Sequence, residues 1–315
     1  MAASLEHVLL GDIGATNARF ARLTDGVVGA VDTITVADHP RFTEAVEAFL
    51  GRQGSRTPTT GAVLAVAGPV ENGRAALTNC PWVIDAVELR STFNFARLRI
   101  LNDFEATAFA LPHLTTADLH PLGGGKAIPG APMAVLGPGT GLGVACLVPP
   151  DTVIPTEGGH VTLPATSARE EAIIDHLRQE FGHVSAERAI SGMGLENLCR
   201  AIAAIDRLDV RECNAADITK NALDGTCPAS RAALDMFCAM LGTVAGNIAL
   251  TLGAQGGVYI AGGIAPRIVS HLAKSEFRAR FEAKGRFKNY LERIPVNVIM
   301  YPNAPFIGLK ALAQT

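Results

Sequence analysis

The sequence predicts an α/β protein organised as two domains. Its 315 residues exceed the size at which one hydrophobic core usually divides into two. The chain is 48% hydrophobic and 18% charged and contains 32 glycines, a composition typical of a soluble, glycine-rich globular protein. Short apolar runs that end in glycine turns are interspersed with longer segments of helical spacing, and this pattern indicates the α/β class.

Strands and helices are assigned from the spacing of apolar residues and from the turn residues that bound each run. The predicted strands are 7–11, 18–23, 62–67, 98–101, 133–136, 144–148, 258–261 and 296–300. The predicted helices are 43–50, 104–111, 168–181, 195–204, 229–252 and 307–313. A strand–glycine turn–strand unit occurs at 7–23 and again at 133–148, which suggests a duplicated architecture whose two glycine turns could face each other across a cleft.

Charge, cysteine content and hydropathy argue against several classes of protein. The net charge is −3, and the sequence has no basic stripe of the kind that binds nucleic acid. The six cysteines form no CxxC pair, so we expect free thiols in a cytoplasmic protein and no zinc site. Residues 240–265 are uncharged, but their glycines and polar residues favour a buried helix and strand over a membrane span.

Three glycine-rich turns have the pattern of a nucleotide site, because bare backbone N–H groups can approach anionic oxygens closely. An ordinary hairpin explains the first turn equally well, and close helix–strand packing explains the third. The second turn is neither a Walker loop nor a GxGxxG motif opening a helix, which disfavours a Rossmann dehydrogenase. The candidate nucleotide-binding residues are Gly11, Asp12, Ile13, Gly14, Ala15, Thr16 and Asn17 in the first turn, Gly139, Thr140 and Gly141 in the second, and Gly262 and Gly263 in the third.

Asp12 is the one acidic residue of the first glycine turn. A carboxylate would repel a phosphate group unless a cation stood between them. Mg²⁺ held through water is the cation that suits this arrangement, since it prefers oxygen ligands and keeps several waters. Asp12 is therefore the candidate metal residue.

Asp103 and Asn102 form a candidate site for a hydroxyl substrate. A hydroxyl group is a weak nucleophile, so transfer of a phosphoryl group to it needs a base at that oxygen. Asp103 comes directly after a short strand, where rigid backbone can aim its carboxylate, and Asn102 can bind a neighbouring hydroxyl. Asp103 could equally cap the helix predicted to begin at Phe104.

Glu157 and His160 lie on a glycine-bent loop of sequence EGGH. Hydroxyl groups both donate and accept hydrogen bonds, so a pair of one acceptor and one dual donor/acceptor suits a substrate that carries several of them. Glu187 could add a further acceptor, although a single Glu in a helical region is more often simply solvated.

These blocks together resemble the actin-like ATPase superfamily, and within it the zinc-free bacterial-type glucokinases. The resemblance covers essentially the whole chain, and finding all the blocks in one order is more specific than any one of them. In chain order the blocks are GDIGATN, LNDF, GPGTGLG, EGGH, HVSAER and AGGI.

The resemblance implies a ribonuclease H-like fold of two domains with an interdomain cleft. The small domain would comprise 1–108 joined by a C-terminal helix at about 301–315, and the large domain 109–300. It further implies that ATP with Mg²⁺ phosphorylates glucose at the entry step of glycolysis, and that the protein is a homodimer. Asp103 would be the catalytic base. The implied sugar-contacting residues are Asn79, Asn102, Asp103, Glu157, His160 and Glu187.

Three alternatives stay open at the level of sequence. An actin-like ATPase without sugar chemistry, such as a chaperone or a filament protein, would leave Asp103 and the EGGH loop without a purpose. A catalytically silent sugar-binding regulator would need a protein partner, because no DNA-binding segment is visible. A kinase for mannose, fructose or an N-acetylated sugar would differ from a glucose kinase at one equatorial hydroxyl, which the sequence does not place.

Overall fold

The computed structural model describes residues 7–52, 58–77, 80–209, 211 and 213–314. Its strands are β1 (His7–Ile13), β2 (Asn17–Thr24), β3 (Val27–Val28), β4 (Asp32–Thr35), β5 (Gly61–Val66), β6 (Arg74–Ala76), β7 (Val83–Asp85), β8 (Arg97–Asn102), β9 (Leu119–Pro121), β10 (Met133–Pro138), β11 (Leu142–Val148), β12 (Thr152–Thr156), β13 (Gly257–Ile260) and β14 (Val296–Ile299). Its α-helices are α1 (Phe42–Arg52), α2 (Ala86–Phe93), α3 (Asp103–Ala110), α4 (Ala168–Phe181), α5 (Gly192–Asp206), α6 (Ala215–Asp224), α7 (Pro228–Leu252), α8 (Val269–Leu272), α9 (Phe277–Glu282), α10 (Lys288–Glu292) and α11 (Ala304–Ala313). The predicted α/β class is confirmed.

The chain divides into two compact units. Unit 1 comprises residues 1–114 and 302–315, and unit 2 comprises residues 115–301. Each unit contains one six-stranded mixed sheet within its described residues.

The sheet of unit 1 has the order β3-β2-β1-β5-β8, with β4 also pairing with β2. Strands β1 and β2 form an antiparallel hairpin, whereas β1, β5 and β8 run parallel. Successive side chains of β1 enter different clusters: Leu9 packs with Phe49, while Leu10 packs with Phe306 and Leu309 of α11. Burial on both faces explains why β1 reads as an almost continuous apolar run.

The sheet of unit 2 has the order β12-β11-β10-β13-β14-β9. It repeats the plan of the first sheet, because the antiparallel hairpin β10–β11 is followed by the parallel strands β13 and β14. The repeated strand–turn–strand pattern of the sequence therefore corresponds to two hairpins at equivalent places in two sheets.

Helix α7 is the one helix of the described chain that is long and apolar enough to cross a membrane. However, 72% of its most apolar window is buried inside the protein, as expected for the core helix of a folded unit. Its side chains pack with those of α5, α6 and α9 in the core of unit 2.

Candidate active site

The parallel strands of unit 1 end together at one edge of their sheet. Ile13 at the end of β1 pairs with Val66 at the end of β5, and Val66 pairs with Asn102 at the end of β8. The first glycine turn and the segment that begins α3 therefore leave the sheet at the same edge. Open α/β sheets usually place ligands at the carboxyl ends of their parallel strands.

The first glycine turn is tight and partly exposed. It lies between β1 and β2, and the Gly14 N–H donates to the Asn17 carbonyl oxygen at 3.0 Å. Ala15, Thr16 and Asn17 are exposed at its tip, where their side chains are accessible to a ligand. Gly11, by contrast, lies inside β1, where a Cβ would approach Leu64 Cδ2 to 2.7 Å, so close packing of the sheet accounts for this glycine.

Asp12 is paired with Arg19, a residue outside the predicted site. The two residues lie directly opposite each other in the β1–β2 hairpin, and Arg19 Nε donates to Asp12 Oδ2 at 2.9 Å while Nη2 binds the same oxygen. Arg19 Nη1 also donates to the Pro302 carbonyl oxygen at 2.9 Å and to Asn303 Oδ1 at 3.1 Å. Cross-strand register across the tight turn is the sequence signal that could have identified Arg19.

Asn102 caps α3, which begins one residue earlier than predicted. Asn102 Oδ1 accepts a hydrogen bond from the Phe104 N–H at 2.8 Å, and Asn102 Nδ2 donates to the Gly68 carbonyl oxygen at 3.1 Å. Asp103 is the first residue of the helix, and its Oδ1 also accepts from the Phe104 N–H at 2.9 Å. The cap position therefore belongs to Asn102, and Asp103 is held at the edge of the sheet with a defined orientation.

The surroundings of the Asp103 carboxyl group favour its protonated form. Burial and, second, the negative charge of Asp12 raise its pKa from 3.8 to about 7, and the hydrogen bond from the Phe104 N–H opposes this rise only in part. A carboxylate whose pKa lies near the working pH is well suited to general base catalysis.

In unit 2, the second glycine turn comprises residues 137–143, where β10 passes into β11. The Gly139 N–H donates to the Gly141 carbonyl oxygen at 2.8 Å, which closes the turn, and Thr140 is exposed at its tip. Gly262 has a φ of +81°, and a Cβ there would overlap the Pro138 carbonyl oxygen. The third turn therefore packs directly on the second, and Gly263 beside it faces open space.

The Glu157 loop, residues 156–160, brings Glu157 and His160 together with Glu187. His160 Nε2 lies 3.8 Å from Glu157 Oε2, and His160 Nδ1 lies 4.0 Å from Glu187 Oε1. The side chains of Glu157 and His160 are 75% and 59% exposed, so both can still reach a ligand. Three of the predicted sugar-contacting side chains of unit 2 thus form one cluster, whereas Asn79 lies outside the described residues.

Comparison with known proteins identifies the family. The glucokinase family profile matches residues 9–315. A glucokinase from Paramagnetospirillum magneticum is 46% identical over 98% of this chain and 97% of its own length. The crystal structure of a glucokinase from an Antarctic psychrotroph has a TM-score of 0.89 and is 37% identical over 98% of both chains.

A more distant structure, the ROK family glucokinase of Streptomyces griseus in complex with glucose and AMPPNP, has a TM-score of 0.65 at 15% identity and covers 97% of this chain and 98% of its own. At this identity the likeness shows a shared fold alone. The match of the family profile over nearly the whole chain and the near full-length relative at 46% identity carry the assignment. This chain belongs to the glucokinase family.

Proposed function

We propose that this protein transfers the γ-phosphoryl group of ATP to the 6-hydroxyl of D-glucose, giving glucose 6-phosphate and ADP. One observation supports this beyond family membership. Asp103, half-buried and with a pKa of about 7, lies at the sheet edge from which the first glycine turn also leaves. A phosphoryl transfer enzyme needs a base of this kind beside a phosphate-binding turn.

Asp103 acts as the general base in this proposal. Its ionised carboxylate accepts the proton of the sugar 6-hydroxyl as that oxygen attacks the γ-phosphorus. The Phe104 N–H holds Oδ1 at 2.9 Å, so the other oxygen, Oδ2, is the one presented to the hydroxyl. A pKa near 7 keeps a useful fraction ionised at neutral pH while leaving the group basic enough to take the proton.

The sugar is held by polar side chains from both units. In unit 2, Glu157, His160 and Glu187 offer acceptors and donors to its hydroxyls. In unit 1, Asn102 Nδ2 donates one of its two hydrogens to the Gly68 carbonyl oxygen, and the other can bind a sugar hydroxyl. We assign Asn79 to the sugar as well.

The nucleotide is held by the three glycine turns. The backbone N–H groups at the exposed tips of the first and second turns bind phosphate oxygens, and Gly263 leaves room for the flat base or the ribose of the nucleotide. The AMPPNP bound by the Streptomyces griseus enzyme supports ATP as the phosphoryl donor.

The residues present suit a magnesium ion at Asp12. Arg19 Nε and Nη2 both bind Oδ2, so Oδ1 is the oxygen that would accept a hydrogen bond from a water on the ion. One or two carboxylates plus substrate phosphates and waters is the ligand set that Mg²⁺ prefers. When bound, the ion neutralises charge on the transferring phosphoryl group. Arg19 fixes the direction of the Asp12 carboxylate.

The proposal includes the finer architecture that the family resemblance implies. It assigns the chain to the actin-like ATPase fold, with domains at 1–108 plus about 301–315 and at 109–300. It also assigns a cytoplasmic homodimer that binds neither nucleic acid nor membrane. Closure of such a fold on glucose would exclude water, which competes with the sugar as a nucleophile.

The test is a coupled assay for sugar phosphate with purified protein and MgATP, run with glucose, mannose, fructose and N-acetylglucosamine. Glucose is expected to be the preferred acceptor. Asp103→Asn is expected to lower kcat by at least about 10²–10⁴-fold. The control is Glu105→Gln, which changes a carboxylate in the same helix, 3.4 Å from Arg99 Nη2, and should leave turnover close to that of the wild type.

The pH profile provides an independent check of the same assignment. Because the base must be ionised, kcat/KM for glucose should fall as the pH drops below about 7 and should level off above it. Near-normal turnover by Asp103→Asn would remove Asp103 as the base, and no turnover with any sugar would refute the proposed function.

A further inference from the structure

Leu142 is the residue at which the second glycine turn enters β11. Both its N–H and its carbonyl oxygen contact the sugar cluster, by which we mean Glu187 and the Glu157 loop with His160. Its N–H donates to Glu187 Oε2 at 2.8 Å. Its carbonyl oxygen lies so close to Gly159 of the Glu157 loop that a Cβ at position 159 would overlap it. One residue of the nucleotide turn is thus in direct contact with both Glu187 and the Glu157 loop.

The two carboxylate oxygens of Glu187 face different elements, one the second glycine turn and the other the Glu157 loop. Oε2 accepts the Leu142 N–H and lies 2.5 Å from the position that a Cβ on Gly141 would take. Oε1 lies 4.0 Å from His160 Nδ1. The side chain is 23% exposed, and a hydrogen bond from a backbone N–H to a largely buried carboxylate is one of the stronger kinds.

The segment 187–192 also holds the other end of the turn. The Glu187 carbonyl oxygen accepts from Ser191 Oγ at 2.8 Å, and Ser191 caps α5 by accepting from the Gly194 N–H at 2.9 Å. The next residue, Gly192, donates its N–H to the Gly139 carbonyl oxygen at 2.8 Å. Gly139 and Leu142, which flank the exposed tip of the turn, are therefore both bonded to one short segment.

A turn with four glycines in seven residues loses much conformational entropy when it is ordered. Its N–H groups can bind phosphate only while the turn keeps one conformation. Bonds at both of its ends supply that restraint, and the bond at Leu142 depends on a side chain whose other oxygen faces the sugar cluster. A sugar hydroxyl that binds Oε1 would immobilise the same carboxylate that orders the turn.

We propose that Glu187 is a positioning residue for the second glycine turn, and that through it sugar binding strengthens nucleotide binding. The inference rests on the proposed function for the identity of the two ligands. Coupling of this kind is reciprocal, so nucleotide must strengthen sugar binding by the same factor.

The experiment is isothermal titration of the full-length protein with MgAMPPNP, with and without saturating glucose. The wild type is expected to bind the nucleotide about 5- to 20-fold more tightly when glucose is present, within the usual range of coupling between sites. Glu187→Ala should weaken glucose-free nucleotide binding by about 10-fold and abolish the effect of glucose, because the Leu142 N–H loses its acceptor.

Two further variants separate positioning from general damage. Glu187→Gln keeps a carbonyl oxygen for the Leu142 N–H, so its glucose-free nucleotide affinity should stay within about threefold of the wild type while its glucose affinity falls. Glu157→Gln changes a side chain that is 75% exposed, and it should weaken the binding of glucose but not that of the nucleotide. Equal nucleotide affinity of Glu187→Ala and the wild type, or loss of affinity in Glu187→Gln as large as in Glu187→Ala, would overturn the inference.

The nucleotide titrations without glucose also separate a failure of this inference from a failure of the proposed function. If the wild type neither binds nor phosphorylates glucose, the proposed function and the coupling both fail. A weakened nucleotide affinity confined to Glu187→Ala would still establish the positioning role.

Discussion

At the scale of the residue, Asp103 holds its proton more tightly in the folded protein than in the unfolded chain. Burial and the charge of Asp12 raise its pKa from 3.8 to about 7, and unfolding removes both causes. Between about pH 4 and pH 7 the folded state keeps a proton that the unfolded state has lost. The stability contributed by this group is therefore fully present at low pH and decreases as the pH rises through this window.

Asp103→Asn should therefore stabilise the fold at the same time as it removes the base. The amide resembles the neutral acid, so the free energy of unfolding should increase at pH 8 by up to about 4 kcal/mol. The gain should shrink steadily as the pH approaches about 4. Urea denaturation of both proteins at several pH values measures this, and a gain that is the same at every pH would contradict the assigned pKa.

At the scale of the element, the contact between α3 and α11 depends on the absence of a side chain. The two helices pack so closely that a Cβ on Gly308 would overlap the Ala106 carbonyl oxygen. Backbone cannot move aside as a flexible side chain can. The glycine is therefore needed for packing, although glycine is a poor helix former.

Gly308→Ala is expected to lower the free energy of unfolding by about 2–3 kcal/mol, because overpacking outweighs the gain in helix propensity. The matched control is Gly51→Ala in α1, which is exposed and where a Cβ would meet nothing within 4 Å. That change should stabilise by about 0.5–1 kcal/mol. Equal effects of the two substitutions in chemical denaturation would rule out the tight helix contact.

At the scale of the whole molecule, unit 1 is built from both ends of the chain. Helix α11 belongs to unit 1 although residues 115–301 separate it from the rest of that unit. It contributes Phe306 and Leu309 to a cluster with Val8, Leu10 and other residues of the sheet. Helix α11 therefore completes part of the hydrophobic core of unit 1.

Leu309→Ala should lower the stability of unit 1 by about 2–5 kcal/mol through loss of buried apolar volume. Leu223→Ala, at a leucine 44% exposed on α6, should change stability by no more than about 0.5 kcal/mol. The single tryptophan of the chain, Trp82, is buried in unit 1, so its fluorescence follows this unfolding directly. An unchanged fluorescence transition in Leu309→Ala would contradict the role of α11.

The sequence by itself predicted the elements whose signals are local and long. Helix α4 has the predicted bounds because Ser167 caps its first turn and Gly182 ends it. Strands that carry an apolar run against a glycine turn were also identified, whereas strands of two or three residues such as β3 and β6 were not, because only their pairing partners define them. Helix α2 was missed although its signal is present, since Asp85 caps it by accepting from the Val87 and Glu88 N–H groups.

The residue types of the candidate site were likewise readable from the sequence, because glycine turns and paired polar residues are local patterns. Only the tertiary structure decided that Asn102 and not Asp103 caps α3, that Asp12 is bound by Arg19, and that Glu187 holds Leu142, a residue 45 positions away. The pKa of Asp103, the first residue of α3, likewise depends on burial and on Asp12, which lies on β1. The physical reason is that propensity acts over a few residues, whereas hydrogen bonding and desolvation depend on whichever groups the folded chain brings together.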